Sequence, residues 1–374
     1  MQEANMLDHK ENLHAGAVNL LTRCGGLSAG DSVLIVREPP GLGYYRECIV
    51  DGLTQAAASL GIRATVVQAP FTETATAPDE ALVTAMRAAD LTVFLARLGD
   101  QLRFQDLPGA IRAIVCYALD GIMLGSGFGR LDHAAMVQLR DRIDNAMGQA
   151  RSITVTCPAG TDFTGHVAPI DAKPKDTNTI RFPLSVHSPV PAMNFSGRIA
   201  QRGFLVGTGS RFYQPYACAL EDVLFVEIEG NRITGFSGTT SDVARARAHY
   251  RGIGERYGID PYFVHSWHCG IHPGCAFRDP ARDSFERWSG SAFGNPRLLH
   301  VHTCGAYAPG EISLNILDPT ITADGIALWQ AGRLVPEAIP GATEILDRHP
   351  ELRAAYDAPA QDCGLGPEGA LSFV

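Results

Sequence analysis

Apolar runs long enough to span a membrane are absent from this 374-residue chain, and its start, MQEANMLDHKENLH, is polar and acidic. That is unlike a basic stretch leading into an apolar signal core. The expectation is a cytoplasmic protein with no membrane partner. Basic charge is scarce as well: 31 Lys and Arg stand against 40 Asp and Glu, a formal charge of -9, which argues against the broad positive footprint that nucleic acid requires. A small molecule is the expected partner. The nine cysteines are odd in number and form no C-x-x-C pair, so neither a disulfide framework nor a zinc ribbon is indicated. Most are expected as small buried residues. Internal repeats and low-complexity linkers are missing too. In PPGLGYYREC, Gly41 and Gly43 lack the spacing of a dinucleotide or P-loop motif, and a tight turn is the simpler reading.

What is present is apolar material for two cores: 45% of the residues are hydrophobic. The first part of the chain alternates β-branched runs (residues 31–39, 62–70, 90–98, 112–118 and 152–160) with amphipathic segments near 43–60, 79–89 and 132–150. Near-continuous Val/Ile/Leu strands separated by helix-length segments fit a parallel sheet covered on both faces. A doubly wound α/β domain is therefore expected over residues 1–156. From residue 157 onward proline, glycine and short strands dominate, and a β-rich α+β domain is expected over 157–374. Within it, LFVEIEGNRITGF reads as a hairpin turning at Glu229, Gly230 and Asn231, because Gly and Asn tolerate positive φ. One helix is expected near 241–257, capped by Ser241 or Asp242.

Five of the twelve histidines fall in two short stretches, HSWHCGIHPGC (265–275) and HVHTCG (300–305). In the first, Gly270, Pro273 and Gly274 argue for a loop, so His265, His268 and His272 can share a direction only through a turn. In the second, strand alternation puts His300, His302 and Cys304 on one face. Two imidazoles on one strand face can converge on one ion, and neutral imidazole suits iron, zinc and related metals. Glu311 is a candidate carboxylate ligand beside them. The alternatives are hydrogen-bonded core histidines, or a thiolate at Cys269 or Cys304 stabilised by a neighbouring imidazole. The spacings match no closed structural zinc pattern.

The motifs CPAGTDFTG, VEIEGNRITGFSG, GIHPGCA and TCGAYAPGEISLNILDPTITADG, in that order, resemble landmarks of the aminopeptidase T family of thermophilic metallo-aminopeptidases and of its relative 2,5-dihydroxypyridine 5,6-dioxygenase. The resemblance covers most of the chain. It implies an aminopeptidase T-like, two-domain, usually homo-oligomeric enzyme with a metal in the second domain. The aminopeptidases use that metal to activate water; the dioxygenase uses Fe(II), held by two His and one Asp, to open a hydroxylated pyridine ring. At the positions matching those ligands this chain has Ser266, Ser313 and Asn315. Ser and Asn are weak ligands for Fe(II). Either the metal has moved onto His265 or His268, His300, His302 and Glu311, or the site has lost it.

The region around His187 matches the dioxygenase's substrate-handling histidines, so His187 is a candidate general base, with His272 as a further catalytic candidate. Arg181 is a candidate anchor for a substrate carboxylate. Trp267, with Trp288 and Phe293, is a candidate aromatic wall, and Ser313 and Asn315 are candidate substrate contacts. These readings lead to a ring-cleaving dioxygenase using Fe(II), with Zn or Mn as alternatives, that takes dioxygen and a small hydroxylated aromatic or N-heteroaromatic compound. A metal-dependent hydrolase and a non-catalytic binding or assembly protein are the two alternatives.

Overall fold

The computed structural model describes residues 2–74, 78–105, 107, 111–167 and 178–366, and no described helix is long and apolar enough to cross a membrane. Parallel and antiparallel sheets coexist, and contacts divide the chain into two units. One comprises residues 1–137 and 174–184; the other comprises 138–173 and 185–374. This differs from a single cut at residue 156, because a short segment returns to the first unit after the second has begun.

In the first unit, β1 (Ser32–Arg37), β2 (Arg63–Gln68), β3 (Leu91–Leu95) and β4 (Ala113–Cys116) run parallel. The chain then enters the second unit through β5 (Ile153–Thr156) and β6 (Asp162–Gly165), and returns in β7 (Ile180–Phe182), which pairs with β4. The sheet order is β2-β1-β3-β4-β7, so the expected fifth parallel strand is β7, and β5 joins an antiparallel sheet instead. The run ITVT has the same local pattern in either sheet; only its partners differ. Every residue of β3 and β4 is buried, as expected for strands covered on both faces. By contrast β2, expected to be buried, is the exposed edge. Leu34, Val36, Met86, Phe94 and Val115 pack in one core cluster, each contributing about 1.5–3 kcal/mol by leaving water.

The second unit is largely antiparallel. Its further strands are β8 (Val190–Pro191), β9 (Ser196–Gln201), β10 (Phe204–Gly207), β11 (Ala217–Ala219), β12 (Leu224–Glu229) and β13 (Arg232–Ser237). They are followed by β14 (Val264–Cys269), β15 (Leu298–Thr303), β16 (Ile312–Leu317), β17 (Thr320–Ala323), β18 (Ile326–Gln330) and β19 (Arg333–Leu334). One sheet has the order β11-β10-β16-β15-β14-β8; the other has β13-β12-β9-β6-β5-β17-β18-β19. The hairpin β12–β13 turns at Gly230, whose φ of 59° is the conformation glycine adopts without cost.

The helix Thr240–Tyr257 is capped by Thr239, whose hydroxyl accepts from the Asp242 amide, two residues before the earliest expected cap. Asp242 is instead occupied with the amides of Glu221 and Asp222, so its carboxylate pins a preceding loop. On the same helix, burial pushes His249 down to about 4. The unfolded chain, with an ordinary histidine near 6.5, therefore binds the proton that the folded protein excludes. Stability should fall as pH drops from about 6.5 to 4 and change no further below that, by up to about 3 kcal/mol from this group. Urea midpoints at pH 7.5 and 4.5 should differ less in His249→Gln than in the parent; an equal difference would remove His249 as the cause.

Candidate metal centre

Antiparallel pairing of β14, β15 and β16 builds the site. Ser266 lies opposite His302, and His302 opposite Ser313; His268 lies opposite His300, and His300 opposite Asn315. Directly paired residues project from the same face, and residues two apart share it. The result is two adjacent rows, Ser266–His302–Ser313 and His268–His300–Asn315, on one side of the sheet. All six side chains are buried.

The three imidazoles converge. One ring nitrogen from each of His268, His300 and His302 lies within 4.8 Å of the others, and the ring centroids of His268 and His300 are 4.1 Å apart. Phe293 stacks on His300 with ring centroids at 4.1 Å and an interplanar angle of 12°, fixing its plane. Nδ1 of His302 donates to Glu311 Oε1 at 3.0 Å, and Nδ1 of His268 donates to the main-chain oxygen of His187 at 3.1 Å. Each of these rings in its neutral form then carries its lone pair on Nε2, and the two Nε2 atoms face each other at 3.1 Å. Two opposed lone pairs repel unless a cation or a shared proton lies between them. A metal bonded at about 2.0–2.1 Å separates two nitrogen ligands by roughly 2.8–3.4 Å at angles between 90° and tetrahedral. The observed separation fits that range, and three neutral imidazoles are a chemically suitable donor set for a divalent transition ion.

The structure redistributes the other candidates. Glu311 orients His302 through Nδ1 in place of direct ligation, the arrangement by which a carboxylate fixes the tautomer of a metal-binding histidine. Glu311→Gln should therefore weaken metal binding about 10–100-fold without abolishing it, measured by competition with a chelator; unchanged affinity would show that the contact is incidental. His265 lies outside the cluster, with Nδ1 2.9 Å from Ser266 Oγ. His272 also lies outside it, its Nδ1 accepting from the Gly274 amide in a loop held by Trp329 Nε1 on Gly270 O and Tyr356 OH on Ile271 O.

His187 was expected as a base, but both its ring nitrogens are engaged: Nδ1 donates to Ser188 O, and Nε2 accepts from the Cys269 amide at 2.9 Å. Burial lowers its pKa, against the Asp144 carboxylate and the bond to Ser188. What it offers the site is its main-chain oxygen. Trp267 sits on the opposite face of β14, buried against Phe195 with ring centroids at 5.5 Å, so it packs the core and does not wall the histidine face. Ser313 donates to Asn315 Oδ1, and Asn315 Nδ2 donates to Phe204 O while its main-chain amide donates to Gln201 Oε1, so these two polar side chains brace one another and the neighbouring backbone. Arg181 belongs to the first unit, its guanidinium 4.2 Å from the centroid of the Tyr117 ring.

Cys304 leaves the strand with φ of 62° and does not continue the face of His300 and His302. Burial pushes its thiol to about 12 and raises Cys269 well above the ordinary value, which removes the thiolate a nucleophile needs. Two neighbours escaped the sequence reading as site residues: the ring of Tyr307, 5.0 Å from His265, and Tyr213, whose hydroxyl donates to Glu311 O. Tyr307 lies in the loop between β15 and β16, where no periodicity signals direction.

A mixed α/β fold carrying a candidate three-histidine metal centre is thus defined, and solved structures are similar to it in fold. The chain has the aminopeptidase T-like fold. It is similar to 2,5-dihydroxypyridine dioxygenase from Pseudomonas putida KT2440 (TM-score 0.58, 17% identity, covering 87% of this chain and 98% of that one). It is also similar to wild-type AmpT from Thermus thermophilus (TM-score 0.50, 13% identity, 87% and 99% covered). No protein-family description and no curated protein sequence matches it.

Proposed function

We propose that this protein is a metal-dependent enzyme that opens the ring of a small hydroxylated aromatic or N-heteroaromatic compound with dioxygen. The observation that carries the metal reading is the 3.1 Å approach of two Nε2 atoms whose partner nitrogens are both already donating. The fold it shares with a dihydroxypyridine dioxygenase supports the reaction class. His268, His300 and His302 would hold the ion, preferably Fe(II), with Zn or Mn as alternatives. Bound iron would supply Lewis acidity toward a ring hydroxyl and electrons for dioxygen. The chain's own groups do the rest: Glu311 and the His187 carbonyl orient two of the imidazoles, and Phe293 locks the third. Burial keeps bulk water from the ring while it is exposed to oxygen.

A hydrolase is the second reading, because an all-imidazole set with an open position also suits activation of water. Oxygen uptake separates the two. Protein reconstituted anaerobically with Fe(II) and offered hydroxypyridines and hydroxybenzoates should consume oxygen in proportion to substrate lost. Turnover at the same rate without air would overturn the dioxygenase reading in favour of the hydrolase.

A further inference from the structure

The pairing of β14 with β15 slips between Val264 and Ser266, so His265 is the extra residue of a β-bulge. Bulges re-aim side chains and recur beside active sites. Here the bulge leaves the His265 ring half-buried, next to the exposed ring of Tyr307, with Nδ1 2.9 Å from Ser266 Oγ. Ser266 is itself buried, and its Cα lies opposite His302 on the metal-binding face. The hydroxyl therefore belongs to the histidine grid, while the imidazole it touches reaches toward solvent. Around the site, His187, His268, His272 and His302 spend ring nitrogens on the backbone, on Glu311 or on one another.

We infer that Ser266 and His265 form a proton relay between the three-histidine centre and solvent, the route by which a hydroxyl of a bound aromatic compound loses its proton. This rests on the function proposed above. The step balances: the substrate O–H bond breaks as Ser266 Oγ gains that proton. The original Ser266 hydroxyl proton passes to His265 Nδ1. The resulting imidazolium releases its Nε2 proton to water. Nothing is oxidised or reduced. Burial first, and then His302, oppose protonation of His265, while Glu311 favours it; Tyr307 is the titratable side chain packed on it.

The test uses the full chain loaded with Zn(II), which is redox-inert, and 4-nitrocatechol, whose absorption moves to longer wavelength when hydroxyl protons are lost. Stopped-flow mixing reads the rate of that loss; titration reads affinity. Ser266→Ala and His265→Gly should slow the colour change about 100-fold, the scale of a lost acid–base group. Affinity should stay within about twofold, bound zinc should be unchanged, and added imidazole should restore the rate of His265→Gly but not of Ser266→Ala. Ser266→Thr, which keeps the hydroxyl, should stay near the parent rate.

Equal rates in all variants would overturn the relay. So would loss of zinc from either variant, since the pair would then build the site instead of serving it. If the parent holds zinc but never deprotonates 4-nitrocatechol, the hydroxylated-aromatic reading fails. The 15N resonance of His265 Nδ1 then decides for the relay: movement on Ser266→Ala supports the coupled pair, and no movement overturns it.

Discussion

Replacing His300 by alanine should strip the protein of its metal. With only three imidazoles converging, each carries a large share of the affinity. Apparent binding free energies of zinc-peptide sites run to about 10–16 kcal/mol over four ligands, about 2.5–4 kcal/mol each, so losing one costs roughly 100- to 1,000-fold in affinity. His268→Ala and His302→Ala should behave alike, because one ring nitrogen from each of the three histidines converges within 4.8 Å of the others. His265→Gln is the matched control, since its ring lies outside the cluster; it should keep its metal. The measurement is elemental analysis of protein purified without a metal-affinity tag and again after anaerobic reconstitution with Fe(II), Zn(II) or Mn(II). Parent protein that takes up none of these ions would mean that a shared proton, not a metal, reconciles His268 with His302, and the proposed function would fall with it.

The second large effect lies in the first unit. Glu38 and Arg97 are both buried, and the carboxylate accepts from Arg97 Nε and Nη2 at 2.8 Å each and from the Arg97 amide at 2.9 Å. The guanidinium also lies 3.6 Å from the centroid of the Phe71 ring. Glu38→Ala removes the carboxylate that meets the buried Arg97 through its Nε, its Nη2 and its amide, and about 3–5 kcal/mol should be lost from this unit. Because the chain has two units, a single melting curve does not isolate the effect; hydrogen exchange of the β1 and β3 amides does. Replacing both partners by apolar residues, Glu38→Leu with Arg97→Met, should recover most of the loss, since the cost comes from burying a charge that has lost its carboxylate more than from the missing attraction. A single variant that costs less than about 1 kcal/mol would show that the pair is hydrated in solution.

Much of the frame is legible in the sequence, for a physical reason: strands covered on both faces must be apolar throughout. Thus Leu91–Leu95 and Ala113–Cys116 announce themselves, while Gly230 and Asn231 mark a hairpin by their tolerance of positive φ. The histidine-rich stretches likewise stand out by composition, and alternation alone puts His300 and His302 on one face. The exposed edge strand Arg63–Gln68 misleads because its β-branched residues are those of a buried one.

Composition and periodicity by themselves determined the buried strands of the parallel sheet, the hairpin at Gly230, the two-part character of the chain and the pair His300–His302, while the stretch expected as a loop from His265 begins instead as strand β14. Tertiary structure alone decided what stands opposite that pair. His268 joins it across a strand ladder whose residues are more than thirty positions apart in the chain, and a one-residue bulge diverts His265 to Ser266. Glu311, adjacent to β16, becomes an orienting partner because its carboxylate meets Nδ1 of His302. These choices turn on inter-strand register, and register is set by backbone hydrogen bonds and packing between distant segments, which no local pattern of side chains records.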